Sequence, residues 1–474
     1  MDQLLAGLNR LKTNRRRFLA GSAAAFGAAL LPTAARAQTP DDVLIIGGGL
    51  AGLNAALILA SQGANVTVLE ADSRPGGRIR TLDGAEGRPE AGGSEVGPLY
   101  ARTRSLAADF GLALYTPSRP PSGMALHLQN RLISPKQWIT DAENHLPDDL
   151  RTLFPYAVET ALMARATPLA APEDWLTPEA ARRDQPYSQL LNQLGGNDQA
   201  LAYAALSAQS DSLAETSALW MLRRDQSRRQ SANLGPVEHI KGGMSRLTDA
   251  MAAKLGDNVH LNTRVRALSQ DSSGVTAHTY DGKTFKAARA ILTLPASVTR
   301  TILFDPLPLT AQAAAWAALP YGQATSAFFP IIAPFWEEDG LPPSTWSDSL
   351  PGRGLVMAND QGAFLWFYAT NNRANAFHKA SLADIPAMAL AQLTAARPSV
   401  KGRLGPGSAF SWANNPLALG TFASRRPGYL APLQKLLQRE HGRISFAGEH
   451  TADLASGIEG ALESGERAAI AMLI

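Results

Sequence analysis

The chain has 474 residues, 45% of them hydrophobic and 18% charged, so it can bury a sizeable core and is long enough for two or three domains. Its formal charge is +3, but residues 1–37 alone hold six Lys/Arg against one Asp, a net +5; the remainder therefore carries +3 less +5, or −2, which excludes the concentrated basic face of a nucleic-acid binder. The lack of cysteine excludes disulfides, thiolate metal sites and a cysteinyl cofactor link, and no metal is expected.

At the N-terminus, Arg15, Arg16, Arg17, Phe18 and Leu19 precede an apolar run from Ala20 to Leu31, and Ala35, Arg36, Ala37 offer an AxA cleavage site. This is the three-part layout of a signal peptide. The apolar run is shorter than the roughly 20 residues that span a bilayer. The paired arginines followed by Phe and Leu resemble a twin-arginine signal; the plainer alternative is a general secretory signal with a basic start. A twin-arginine route carries folded proteins and so allows cofactor loading before export. It implies the twin-arginine export machinery as a partner and the periplasm as destination. Residues 1–37 are set aside from the fold.

Next, Val43 to Ile46 is an apolar β-type run leading into Gly47, Gly48, Gly49, Leu50, Ala51, Gly52, a GxGxxG pattern. Apolar residues at Leu53, Ala56, Leu57 and Ala60 follow helical spacing, Gly63 is a helix stop, and Val66 to Leu69 reads as a second buried strand ending at Glu70 and Ala71. In such a unit Gly47 permits the tight turn, Gly49 lets the backbone around Leu50 and Ala51 approach a pyrophosphate at a helix N-terminus, and Gly52 lets helix and strand pack closely. Glu70 lies 18 residues after Gly52, near the roughly 20 expected of an acid that binds an adenosine ribose.

Arg74, Pro75, Gly76, Gly77, Arg78 and Thr81 come directly after, then Gly92, Gly93, Ser94 and Glu95. The first group resembles the RxGGRxxT signature of the flavin amine oxidase superfamily, in which the glycines bring backbone to the flavin end of FAD and arginine offsets the pyrophosphate charge. Further along, Arg264 to Leu294 alternates apolar and polar residues with turn signals at Ser272–Gly274 and Asp281–Gly282. Entered after Lys241, Gly242, Gly243, Met244 and closed by Leu294 and Pro295, this stretch resembles the strand meander of that superfamily's FAD domain, and the resemblance implies that Val265 meets the adenine through its backbone.

The C-terminus holds Phe446, Ala447, Gly448, Glu449, His450, Thr451, then Ser456, Gly457, Ile458, Glu459, Gly460, Ala461 before a helix. These are similar to the closing FAGEH and GA motifs of the flavin monoamine oxidases. By that resemblance Glu449 meets the ribityl or phosphate region, and amides near Gly460 and Ala461 face the flavin's pyrimidine edge. His450 reads as a structural hydrogen bonder before it reads as a base. Leu319–Gly322 followed by Pro334, Phe335, Trp336 is similar to substrate-domain strands of the family, as is Trp412, which is counted with the cofactor-binding residues.

The resemblance implies an α/β fold of two domains, amine oxidase-like: a discontinuous Rossmann-type FAD-binding domain with a β-meander (41–98, 236–300, 405–474) and an α+β substrate domain (99–235, 301–404). It implies non-covalent FAD and oxidation of a small-molecule amine to an imine by hydride transfer, the imine then hydrolysing. Candidate catalytic residues are Phe422, matching one of two aromatics that sandwich the amine, Trp366 in the run Phe364 to Tyr368, Glu95, and Ser326, which stands where relatives place a lysine tied to oxygen reactivity. The second aromatic is missing from the shortened turn Gly457–Ala461, and Thr421 takes the place of a flavin-linking cysteine. The electron acceptor, oxygen or a periplasmic carrier such as a cytochrome, and a homodimer stay open. Rival readings are a flavin desaturase or porphyrinogen-type oxidase of the same superfamily, and a low-turnover flavin electron-transfer protein.

Overall fold

The computed structural model describes residues 42–118, 123–207, 212–350, 352–428 and 430–474; the signal-peptide reading of residues 1–37 lies outside them. Five parallel strands form the first sheet, in the order β18 (Ile444–Phe446), β11 (Arg289–Leu292), β1 (Val43–Ile46), β2 (Val66–Leu69), β7 (Val259–His260). A parallel sheet is covered on both faces, which is why β1 reads as an unbroken apolar run. Val43 and Ile45 face one core, packed by helices α1 (Leu50–Ser61), α4 (Ser245–Leu255) and α6 (Gly457–Leu473); Leu44 and Ile46 face another, shared with the next sheet.

That second sheet runs β10 (Thr284–Ala287), β9 (Val275–Thr279), β8 (Val265–Gln270), β12 (Leu303–Asp305). The expected meander is therefore shorter than the alternating stretch: β11, which continues the apolar alternation, leaves it to pair with β1 and β18. Three of its four residues, Ala290 to Leu292, are buried, as a central parallel strand requires and a hairpin edge does not.

The third sheet has seven strands in the order β17 (Ser408–Ser411), β13 (Ala324–Pro330), β16 (Gly362–Thr370), β15 (Arg353–Asn359), β14 (Ser344–Ser347), β4 (Met124–Leu128), β5 (Arg131–Ile133). A two-stranded ladder pairs β3 (Leu114–Tyr115) with β6 (His239–Ile240). Two strands pair across the expected segment ends. Ser408–Ser411 pairs with β13 of the substrate sheet although it follows residue 405, and Leu303–Asp305 pairs with β8 of the meander although it follows residue 301. Backbone pairing decides both. Phe335 and Trp336, read as strand, open a short helix (Phe335–Asp339) with Pro334 at its N-cap. One face of the seven-stranded sheet, with Ala327, Phe329, Val356, Leu365 and Phe367, packs on helix α5 (Ile385–Ala396). Because strand side chains alternate, Ser326, Phe328, Trp366, Tyr368 and Arg353 occupy the opposite face.

A separate core, rich in Trp138, Trp175, Tyr203 and Trp220, holds the helical segments between residues 126 and 222. The C-terminal helix α6 crosses directly over α1: a Cβ at Gly465 would lie 2.2 Å from Ala51 O, and Asn54 Nδ2 donates to Leu462 O at 2.9 Å. This crossing brings the two ends of the chain together.

Thr81 is tied to the Gly242–Ser245 turn through Glu90, which accepts from Thr81 Oγ1 at 3.0 Å and from Met244 N at 2.7 Å. Burial pushes the Glu90 carboxyl up to about 7. Its folded value lies above the unfolded 4.5, so its stabilising contribution is complete below pH 4.5 and lost as pH rises through 7. Across that window the wild type should lose about 3 kcal/mol relative to Glu90→Gln. Thermal melts of both proteins from pH 4.5 to 8 test this, and a constant gap between them would refute it.

Candidate active site

The glycine turn is built as its spacing predicts. Gly47 has φ +110°, outside the range of ordinary side chains, and a Cβ there would meet Thr293 Oγ1 at 2.7 Å. At Gly52 a Cβ would lie 2.0 Å from Gly47 O, so only glycine lets α1 sit this close to β1. Gly49, the extended N-cap of α1, differs: a Cβ would meet nothing nearer than Gly76 O at 3.9 Å. No side chain caps α1, and its first turn, Leu50 to Leu53, holds no acid. The first-turn amides of Leu50, Ala51 and Gly52 thus have no intrahelical acceptor and open beside Gly49. An open cradle at an uncapped 12-residue helix fits the pyrophosphate of FAD.

Glu70 is buried; its carboxylate accepts from Gly48 N at 2.6 Å and Asp72 N at 2.8 Å, bracing the turn, while burial raises its carboxyl above the usual range. The backbone next to it is tied to the strand that carries Val265, since Thr263 N donates to Glu70 O at 2.7 Å and Asn262 N to Asp72 O at 2.9 Å. Glu70, Ala71 and Val265 are thereby gathered at one end of the cradle. Val265 begins β8 just before a register shift in its pairing with β9.

The two arginines of the RxGGR loop divide their work within the protein. Arg74 spends its donors on the loop itself, Nη1 to Pro75 O and Ile79 O, both at 2.8 Å, and Nη2 to Gly77 O at 3.0 Å. It holds Gly76 (φ +114°) and Gly77 (φ +56°) against Gly48 and Gly49. Arg78 instead donates to Glu449 Oε1 at 2.9 Å and to Thr421 O at 2.7 Å. Glu449 Oε1 also accepts from Ala423 N at 2.8 Å. A single buried carboxylate thus joins the RxGGR loop to the segment that carries Phe422.

Gly92 and Gly93 pack on this loop, Gly93 N donating to Arg78 O at 3.2 Å, and a Cβ at Gly92 would lie 2.1 Å from Arg78 O. A Cβ at Gly93 would meet Ile458 Cγ1 at 3.1 Å, so the Gly92–Ser94 segment lies against the start of α6. There Glu459 accepts from Arg102 N and Thr103 N, capping helix α2 (Ala101–Asp109), and Glu463 accepts from the amides of Asp453, Leu454 and Ala455. The Gly460 amide is already used, donating to Ser456 O at 3.2 Å. The free donors at this helix start are those of Gly457, Ile458 and Glu459, one turn earlier than Gly460 and Ala461. Gly448, at φ +127°, donates to Ser464 Oγ and leaves room for the buried His450 ring. Burial, then Arg78, Arg425 and Arg467, hold that imidazole well below its usual range, so it is neutral and only weakly basic.

On the face of the seven-stranded sheet away from helix α5, Trp366 Nε1 donates to Ser326 Oγ at 3.0 Å, and its ring lies 4.5 Å from Tyr368 and stacks near-parallel to Phe328. Ser326 and Trp366 are thus brought together, and the aromatic run Phe364 to Tyr368 is split by alternation between the two faces of the sheet. Trp412 faces another way: Nε1 donates to Ala91 O at 2.6 Å and the ring meets Phe410 edge-on, holding the Gly92 segment from behind. Phe422 O accepts from Gly322 N, and the Arg224 guanidinium, on helix α3 (Ala218–Ser231), lies 5.7 Å from the Phe422 ring. Glu95 is solvent-exposed, and the protein around it raises its carboxyl above the usual range by desolvation. Sequence reasoning missed Arg224 and Arg353. Arg224 sits in an arginine-rich helix that reads as a solvated face, and only the register of β15 against β16 turns Arg353 toward Tyr368.

The comparisons agree with this geometry. A family model described as flavin containing amine oxidoreductase matches residues 50–473. A flavin-containing amine oxidase B from Sus scrofa is 28% identical over 466 residues, covering 90% of this chain and 85% of that protein. An L-amino acid oxidase from Bothrops pictus is 26% identical, covering 91% of this chain and 90% of that one. Among solved structures, a putrescine oxidase bound to putrescine superposes with a TM-score of 0.72 at 23% identity, and cyclohexylamine oxidase from Brevibacterium oxydans with 0.73 at 23%; each covers 91% of this chain and 98% or more of its own. With a two-part cradle for a flavin dinucleotide and a match over nearly all of the described chain, this protein belongs to the flavin containing amine oxidoreductase family and its cofactor is FAD.

Proposed function

We propose that the protein oxidises a small-molecule amine to an imine in the periplasm, holding its FAD non-covalently and passing electrons to a carrier such as a cytochrome more readily than to oxygen. The observation that carries the reading is the Glu449 carboxylate, which bonds both the RxGGR loop and the Ala423 amide and so holds Phe422 beside the flavin-binding motifs. Bound FAD supplies the acceptance of a hydride from the amine's α-carbon, after which water hydrolyses the imine. The protein's own work is to bind, orient and desolvate. Trp366, locked by its bond to Ser326, and Phe422 offer apolar walls to the amine. The absence of cysteine supports the non-covalent flavin, and the arginine pair ahead of the apolar N-terminal run supports export.

Anaerobic mixing of the flavin-loaded protein with a panel of primary, secondary and aromatic amines and amino acids tests the reaction: bleaching of the flavin is expected, and no bleaching with any of them would refute it. Ser326 supports the preference for a carrier, because its hydroxyl is committed to Trp366 where relatives place a lysine. Admitting air to the reduced protein should restore colour slowly. Ser326→Lys should raise that rate at least about tenfold, a barrier change of roughly 1.4 kcal/mol; an unchanged rate would remove the argument from Ser326.

A further inference from the structure

Two buried arginines converge on the turn that leads into α6. Arg223, on α3 and 2% exposed, donates through Nη2 to Ala455 O at 2.6 Å and to Ala452 O at 3.4 Å. Arg425, fully buried and close after Phe422 in the chain, donates through Nη2 to His450 O at 2.6 Å and to Gln434 Oε1 at 3.1 Å. Both guanidiniums lie over the Trp220 ring, at 4.6 and 4.8 Å. The chain from His450 to Ala455 is thus gripped by a helix of the substrate domain and by the segment that carries Phe422. Directly after it, Gly457 opens α6 with its free amides.

Among the described residues neither guanidinium forms an ion pair, and the Nε of each is buried without a hydrogen-bond partner. The carboxylates whose charge they feel are committed elsewhere. Glu449 serves Arg78 and the Ala423 amide, Glu463 serves the amides of Asp453, Leu454 and Ala455, and Asp453 accepts from Gln434 and Gln438. Burial pushes both arginines down to about 10, which leaves them charged at neutral pH, and Arg425 adds to the fall at Arg223 by repulsion. Arg397 shows the alternative: 1% exposed, it is held by both oxygens of Asp339 at 2.8 Å. Contact with an indole face offsets only part of the desolvation of a guanidinium. Two like charges fixed together away from water therefore favour any negative charge that forms beside them.

We infer that Arg223 and Arg425 are positioning residues for flavin reduction: they hold the His450–Ala455 turn behind the open start of α6, and their uncompensated charge there favours the reduced cofactor. A hydride carries two electrons and one proton, so the ring that accepts it gains one negative charge. Fixed cations behind the helix start stabilise that charge without reorganising as it forms. The inference rests on the family's FAD and on no particular amine, so it is judged apart from the proposed substrate.

The midpoint potential of the flavin-loaded protein, titrated anaerobically with dithionite against a reference dye, tests it without a substrate. In Arg223→Met and Arg425→Met the ratio of reduced to oxidised flavin at a fixed potential should fall about tenfold, a drop of about 30 mV for two electrons. Arg223→Lys, which keeps the charge and loses the fork, should recover most of that drop even where its Tm falls. Asp453→Asn removes a carboxylate that both guanidiniums feel and keeps an oxygen for Gln434 and Gln438, so it should move the potential upward. That variant judges the inference by itself if the arginine variants do not fold or do not hold FAD. A purely structural role would lower Tm or FAD affinity without this pattern of signs. Unchanged potentials in the Met variants, a Lys variant as low as Met, or no rise in Asp453→Asn would each overturn the inference.

Discussion

Gly52→Ala is expected to yield a protein that purifies without flavin and melts well below the wild type. The added methyl would lie 2.0 Å from Gly47 O and 2.9 Å from Thr293 Oγ1, and backbone cannot step aside as a flexible side chain can. Either α1 lifts off β1 or the Gly47 turn opens, and both displace the amides that face the pyrophosphate. Overpacking of this kind costs about 1–3 kcal/mol where side chains yield, and more where backbone must move. Gly49→Ala is the informative companion. Gly49 has φ −78°, acceptable to alanine, and open space at its Cβ, so this variant should keep the apoprotein's Tm and lose only affinity for FAD. Flavin absorbance per protein, together with melts of apo and loaded forms, separates the two. Full flavin content in Gly52→Ala would overturn the close-packing account.

The second large effect concerns Arg78. Its guanidinium is about a quarter exposed, but Glu449 is 7% exposed and has Arg78 as its ion-pair partner. Arg78→Ala leaves that carboxylate buried, with the Ala423 amide still donating but no counter-charge at contact distance. Breaking a buried pair in this way typically costs 3–5 kcal/mol, and partial exposure of the arginine places this case near about 3 kcal/mol. Thr421 O loses its donor in the same change, so the segment carrying Phe422 should loosen and flavin occupancy fall. Glu449→Gln, which keeps an acceptor for both donors, should lose less than Arg78→Ala. If Arg78→Ala melts and binds FAD like the wild type, the Glu449 junction is not what holds the two motifs together.

Gly52 lies within a sequence pattern that could be read directly, because its chemistry is local. A strand, a glycine turn, a helix and an acid at fixed spacing fold the same way wherever they occur, since tight turn, close packing and free amides depend on neighbours a few residues away. The same holds for Arg74, whose bonds run to carbonyls one to five residues off. Where partners come from far along the chain, the pattern was silent. The apolar alternation of 264–294 could not show that Arg289–Leu292 leaves its neighbours to join β1, some 245 residues away in sequence, because a buried parallel strand and a meander strand share composition. Phe335 and Trp336 passed for strand since aromatic residues serve strand and helix alike.

What the amino-acid sequence by itself determined is the dinucleotide cradle, the family and the cofactor, all set by short motifs whose spacing carries their geometry. The tertiary structure alone decided which side chains meet across the pocket. Ser326 finds Trp366 through the pairing of β13 with β16, Glu449 meets Arg78 across 371 residues, and Arg353 turns toward Tyr368 because of a register that a one-residue slip would reverse. Alternation assigns faces within a strand, but only pairing between distant strands decides what each face looks upon.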